Sequence, residues 1–280
     1  MANKKYEKLK VRAFGQDLIE SNDLDPIYVA LVSSQLEPDT LKRWLVAYWC
    51  FYHAGVASYL SEFTGKDFWG KFLIAAENVI PSPINKRWER GHERRHFRAA
   101  NAIKAHAYLS GRYERPEQMV DYIVGHDTPL TFLAVTKRAK EHHGFGDWIA
   151  FKVADMIDRV LGIPVDFDNT AVFMFEQPVK SALLLIEMGE IPLPPNVESK
   201  ADKLNYVADY LIEYFSDLLA PPFLDRPVNI QEIETVLCKW KSHYTGSYPL
   251  RNDIDEINRG IIEWAEVSPI AKTFMENMPK

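Results

Sequence analysis

His143-Gly144-Phe145-Gly146-Asp147-Trp148-Ile149-Ala150-Phe151-Lys152 (HGFGDWIAFK, residues 143–152) sets two glycines directly against the start of an amphipathic run. Glycine reaches positive φ without penalty and lets the backbone come close to another molecule. A helix beginning at Asp147 would present amide N–H groups at its positive end, a geometry suited to a phosphate. The preceding TFLAVTKRAKEHH, residues 131–143, has helical spacing as well. The reading is helix, two-glycine hairpin, helix, over about residues 130–162. By spacing alone the same letters also describe an ordinary helix–helix turn closed by a glycine C-cap.

Apolar positions recur at helical spacing in both directions from this motif. Leu41, Trp44, Leu45, Tyr48, Trp49 and Tyr52 line one face, and Tyr206, Tyr210, Ile212 and Phe215 do so less regularly. Pro26 and Pro38 suit first helical turns, and Asn22, Asp23 and Asp39 supply cap chemistry. No segment alternates as a strand would. The expectation is an all-α chain of about ten helices, broken at residues 79–85, 125–129, 189–199 and 220–227, where prolines and glycines cluster. It reads as a single helical unit, residues 1–280, with a candidate second helical subdomain from about residue 190.

With 280 residues, 47% of them hydrophobic, the chain can bury a sizeable core. No run approaches the length of a membrane span and the first residues lack the apolar core of a signal peptide, so the expected location is the cytoplasm. Cys50 and Cys238 are the only cysteines, which argues against a disulfide framework and a zinc site. A net charge of −6 disfavours a nonspecific nucleic-acid coat. Residues 86–104 depart from that balance, with seven Lys or Arg against two Glu.

Gly144-Phe145-Gly146, then Ala150, then Val165-Asp166 resembles the helix-hairpin-helix DNA glycosylase superfamily. That resemblance implies two helical subdomains with the active site in the cleft between them, a hairpin (Gly144, Gly146) gripping a DNA phosphate, and Asp166 as active-site carboxylate. Trp148 stands where bifunctional glycosylases carry an amine nucleophile, which disfavours Schiff-base chemistry. His143 replaces the usual apolar residue before the hairpin. Three longer segments narrow the likeness: RWERGHERRHFR (87–98), DWIAFKVADMIDRVLGIPVDF (147–167) and DRPVNIQEIETVLCKWKSHYTGSYPL (225–250). Together they resemble the phage clade of α-glutamyl/putrescinyl thymine pyrophosphorylases, clade 2, also described as amino acid:DNA transferases. The family implies thymine hypermodification in phage DNA within the host cell: a hydroxymethyluracil DNA kinase supplies a pyrophosphorylated base, and an amine donor, an amino acid such as glycine or a polyamine, displaces pyrophosphate.

The residue types suit that chemistry. Developing phosphate charge is best met by preorganised cations, and guanidinium forks bind phosphate oxygens bidentately. Read as a helix, residues 87–98 place Arg94 with Arg98 and Arg95 with Arg98 on shared faces, with Arg87 and Arg90 at the helix entrance. Such a tract serves as leaving-group clamp, as DNA-backbone contact, or as a solvated basic face. Lys152 lies one turn beyond Trp148 on roughly the same face, where it is expected to bring a cation into the site as a pyrophosphate contact, although a lysine so placed is more often simply solvated. By the family resemblance Asp166 is the base that takes the donor's proton or orients the donor; by residue type alone an N-cap role, with Asp168 as rival cap, is the commoner use of an aspartate there. Near the third segment, Lys239, Lys241 and His243 are expected pyrophosphate contacts and Glu234 an orienter of the incoming amine; acids early and bases late in a helix also simply complement its dipole. Aromatic segments 47–53 and 67–72 suit core packing, or stacking on an extruded base. No cofactor or metal is required if arginines and lysines carry the phosphate charge; a divalent ion at the hairpin or the pyrophosphate is the one addition that chemistry accommodates. Two other readings remain: a monofunctional glycosylase excising a modified base, and a noncatalytic DNA-binding module.

Overall fold

The computed structural model describes residues 6–167 and 175–279. Asp168 and most of the apolar segment at 171–175 lie outside the described residues. Among the described residues there are fourteen α-helices, a short 310 turn at His92–Arg94 and no strand, so the chain is all-α. In chain order the helices are α1 (Val11–Glu20), α2 (Pro26–Ser34), α3 (Pro38–Phe51), α4 (Ala54–Ser61), α5 (Gly65–Glu77), α6 (Ala99–Arg112), α7 (Glu117–Val124), α8 (Phe132–Lys140), α9 (Asp147–Arg159), α10 (Glu176–Glu187), α11 (Lys200–Tyr214), α12 (Ile230–Tyr244), α13 (Asn252–Trp264) and α14 (Pro269–Asn277). None of these helices is long and apolar enough to cross a membrane.

The helices outnumber the ten expected because continuous apolar periodicity hides breaks made by single residues. The pattern running on from Leu41 is cut where Tyr52 turns left-handed at φ 50° and His53 caps the next helix, its Nδ1 accepting the Val56 N–H. Left-handed backbone at a non-glycine residue is costly unless its surroundings hold it. Here the Tyr52 N–H is tied to Tyr48 O at 2.6 Å and its carbonyl is pressed by Gly91, where a Cβ would sit 2.3 Å away.

Two compact units result, each assembled from separated stretches: residues 27–165 with 255–278, and residues 1–26 with 166–254. The hairpin-bearing unit is organised on α3, which packs against α4, α7 and α9. Trp44, Leu45 and Trp49 are fully buried as expected, but so are Val46, Ala47, Cys50 and Phe51, so the second half of this helix is enclosed on every side. Helices α8 and α9 pack directly on each other.

In the other unit, α1, α10 and α11 pack on α12 around Phe14, Leu18, Leu185, Val207, Leu211, Ile233, Leu237 and Trp240. The buried stripe of α11 is Leu204, Val207, Ala208 and Leu211; Tyr206, Tyr210 and Ile212, expected to line its inner face, are only partly buried at the margin of the core. Residue 190, near which a second subdomain was expected to begin, lies within the unit of residues 1–26 and 166–254. The proline-rich segment 189–199 joins α10 to α11 inside one unit and anchors Ile191, 1% exposed, in the shared core. Proline and glycine mark a stop in helix, and a stop becomes a linker only where no apolar residue on it is buried.

Candidate active site

The expected hairpin is present. Helix α8 is capped by Thr131, whose Oγ1 accepts the Ala134 N–H at 3.2 Å, and ends in a turn closed by the Phe145 N–H on His142 O at 3.1 Å. Gly144 is left-handed at φ 83°, whereas Gly146 takes extended backbone as N-cap of α9. The first intrahelical bond there joins Ala150 N–H to Gly146 O at 3.0 Å, and Gly146 offers no side chain to the first-turn amides. Both glycines are exposed, while Phe145 is 5% exposed and plugs the turn into the core. Lys140 pairs with Asp147 at 2.6 Å across the turn. Trp148 is half-buried, edge-on to the Tyr52 ring with centroids 4.9 Å apart.

The basic tract does not form the helix expected of it. Only His92–Arg94 makes a 310 turn, and Arg98 is the extended N-cap of α6, so Arg94, Arg95 and Arg98 share no α-helical face. The reason is that two arginines turn inward to serve orphan carbonyls at helix C-termini, where a cation also meets the negative end of the dipole. Arg90 donates to Phe97 O, to Trp88 O at 2.9 Å and to Ala75 O, in the last turn of α5, at 3.0 Å; burial and then the charge of Arg98 bring its pKa down to about 10. Arg94, 1% exposed, donates through Nε to Cys50 O at 3.1 Å and through Nη1 to Gly144 O at 2.7 Å. Its guanidinium lies 4.8 Å from the Phe97 ring centroid and 5.4 Å from that of Phe145. Arg94 therefore ties the C-terminus of α3 to the hairpin. Burial pushes the neighbouring Cys50 thiol up to about 12 against the pull of Arg94, leaving it protonated and inert. Arg87, Arg95 and Arg98 are exposed, and Arg95 reaches His92 Nε2 at 2.8 Å.

Along α9, Lys152 is 5% exposed rather than solvated. Its ammonium is 3.3 Å from Asp155 Oδ2, which also accepts the Tyr28 hydroxyl at 2.6 Å. The sequence reading missed Tyr28 and Asp155; the signal available was a Lys and an Asp spaced i, i+3 on an otherwise apolar helix. The helix ends in a glycine turn with Gly162 at φ 66°, Ile163 N–H on Ile157 O at 3.2 Å and Val165 N–H on Asp158 Oδ1 at 3.0 Å. Asp166 follows, exposed.

In α12, Asn229 and Glu232 form a reciprocal capping box, and Arg226 grips Glu232 at 2.9 Å and Gln231 at 2.7 Å. Glu234 is 1% exposed and accepts the Thr235 hydroxyl at 3.2 Å. An ammonium has three donors. Those of Lys239 go to Asp23 O at 2.7 Å, Leu24 O, and Asp253 Oδ2 at 2.7 Å, beneath the Tyr248 ring. Burial works to lower its pKa, but Asp253, Asp25 and Asp23 outweigh that and hold it above the usual lysine range. His243 is fully buried, with Nε2 accepting Leu9 N–H at 2.9 Å and Nδ1 on Tyr248 O at 2.8 Å; the pairing sets a neutral Nδ1–H tautomer, and burial lowers its pKa. Lys239 and His243 are thus committed to the fold and have no donor left for pyrophosphate, contrary to expectation. Lys241 stays half-buried, within electrostatic reach of Glu176. The aromatic segments pack as core: Tyr48, Trp49, Phe51, Phe68 and Phe72 are at most 3% exposed and Trp69 5%.

Against known proteins, a family model described as amino acid:DNA transferase matches residues 19–248. A glycinyltransferase of Pseudomonas phage PaMx11 is 51% identical over 99% of both chains. A putrescinyltransferase of Delftia phage PhiW-14 is 27% identical over 90% of this chain and 78% of its own length.

Proposed function

The chain belongs to the amino acid:DNA transferase family, and from that membership we propose that it joins glycine to a pyrophosphorylated hydroxymethyluracil in DNA, releasing pyrophosphate. The observation that carries the choice of donor is the 51% identity, end to end, with a glycinyltransferase, against 27% with a putrescinyltransferase.

The glycine ammonium gives one proton to the Asp166 carboxylate. The freed nitrogen lone pair forms a C–N bond to the exocyclic methylene while the C–O bond to pyrophosphate breaks, its electron pair leaving on the pyrophosphate oxygen. Extrusion of the base from the duplex exposes that methylene. What supports Asp166 as the base is its exposure at the end of the α9 turn. The open amides at the start of α9 suit one DNA phosphate. Arg95 and Arg98, exposed on a tract that Arg94 ties to the hairpin, suit neighbouring phosphates of the strand. Lys152, ion-paired with Asp155, is the cation on α9 suited to the leaving group. The kinase that would supply the pyrophosphorylated base belongs to the same proposal, as does the absence of any cofactor requirement.

The test is nucleoside mass spectrometry after incubating the protein with pyrophosphorylated DNA, glycine and putrescine together. The expected product is a glycine adduct with an intact glycosidic bond and one pyrophosphate per base. Abasic sites would instead identify a glycosylase, and unchanged nucleosides a binding module. Asp166→Asn should lower transfer by about 100-fold or more, the usual contribution of a general base.

A further inference from the structure

We propose that Asp158 is a positioning residue that fixes the segment carrying Asp166; this rests on the role given to Asp166 above. Asp158 lies in the last turn of α9, with its side chain 14% exposed. A carboxylate there faces the negative end of the helix dipole, so its own helix does not favour it. Its partner lies outside the helix: Oδ1 accepts the Val165 N–H at 3.0 Å, while Oδ2 stands 3.9 Å from Arg159 Nη1.

The chain between these residues is already constrained. Gly162 reverses it at φ 66°, and Ile163 N–H returns to Ile157 O at 3.2 Å. Pro164 has no N–H to offer. Val165 is therefore the last residue before Asp166 whose amide can be anchored to the helix, and Asp158 is what anchors it. Val165 is 9% exposed and Asp166 exposed, so this one bond holds a buried residue next to a solvent-facing carboxylate. A base that is to take a proton from a bound amine must be held to within a fraction of an ångström. A charged acceptor on a rigid helix does this better than a loop contact.

The experiment uses the full chain with Asp158→Ala, Asp158→Asn and Asp166→Asn, reading kcat, KM and binding affinity for pyrophosphorylated DNA, and amide hydrogen exchange at Val165. Asp158→Ala should lower kcat by about tenfold or more, approaching the roughly 100-fold that an ångström of misplacement can cost, with DNA affinity unchanged because the hairpin is at the opposite end of α9. Asn retains an acceptor oxygen, so Asp158→Asn should recover most of kcat. A wild-type kcat in Asp158→Ala, or equal impairment in the two Asp158 variants, overturns the proposal. So does a Val165 amide that exchanges freely in the wild type, a measurement independent of whether any variant folds. If Asp166→Asn stays active, the role of Asp166 is what fails; if it is inactive while Asp158→Ala keeps full kcat, only the present inference fails.

Discussion

Arg94 and Arg95 are adjacent in sequence, yet one is buried against two phenylalanine rings and bonded to carbonyls while the other meets solvent. Their substitutions should separate cleanly. Changing Arg95 and Arg98 together to Gln should weaken DNA binding and reduce the slope of log affinity against log salt by about two, one counterion per lost phosphate contact. Arg94→Met should leave that slope nearly unchanged but cost roughly 3 kcal/mol in a urea melt, since it strands two carbonyls that a charged donor now satisfies. A basic run is legible in sequence as charge. Which members are spent internally is not, because the acceptors of Arg94 lie 44 and 50 residues away and the two carbonyl acceptors of Lys239 more than 200.

The two hairpin glycines look equivalent in the motif and differ in the turn they make. Gly144 is at φ 83°, where a Cβ would come no nearer than 3.8 Å to Phe97, so the penalty for alanine is torsional rather than a clash. Gly144→Ala should cost about 1–2 kcal/mol and weaken DNA binding by reshaping the turn. Gly146 has ordinary extended backbone with nothing within 4 Å of an added Cβ. Gly146→Ala should be nearly neutral in the same urea melt and DNA titration, and parity between the two variants would mean that the turn does not need left-handed backbone. The helices flanking this turn were readable from periodicity. The failed helix at 87–98 was not: its residues permit helix, but inward arginines on the carbonyls of α3 and α5 outcompete local hydrogen bonding.

Across the whole chain, His106, His142 and His243 all have pKa values lowered first of all by burial. Each takes up its proton at lower pH in the fold than in the unfolded chain, where the ordinary value is 6.5. The unfolded state therefore binds more protons below that pH, and stability present above it is lost as pH falls toward the depressed folded values. Melting temperature should decline from pH 7.5 to 5.5; a flat profile would show that these imidazoles titrate as in water. The all-helical class, the two-glycine turn and the likeness to a transferase family were already legible in the amino-acid sequence, because helical periodicity and motif spacing are short-range properties written into consecutive residues. The composition of the two units from discontinuous stretches, the commitment of Arg90, Arg94, Lys239 and His243 to the fold, and the pairing of Tyr28 with Asp155 emerged only from packing. Each of these depends on which distant carbonyl, carboxylate or apolar face is brought within bonding distance, and no local pattern encodes that.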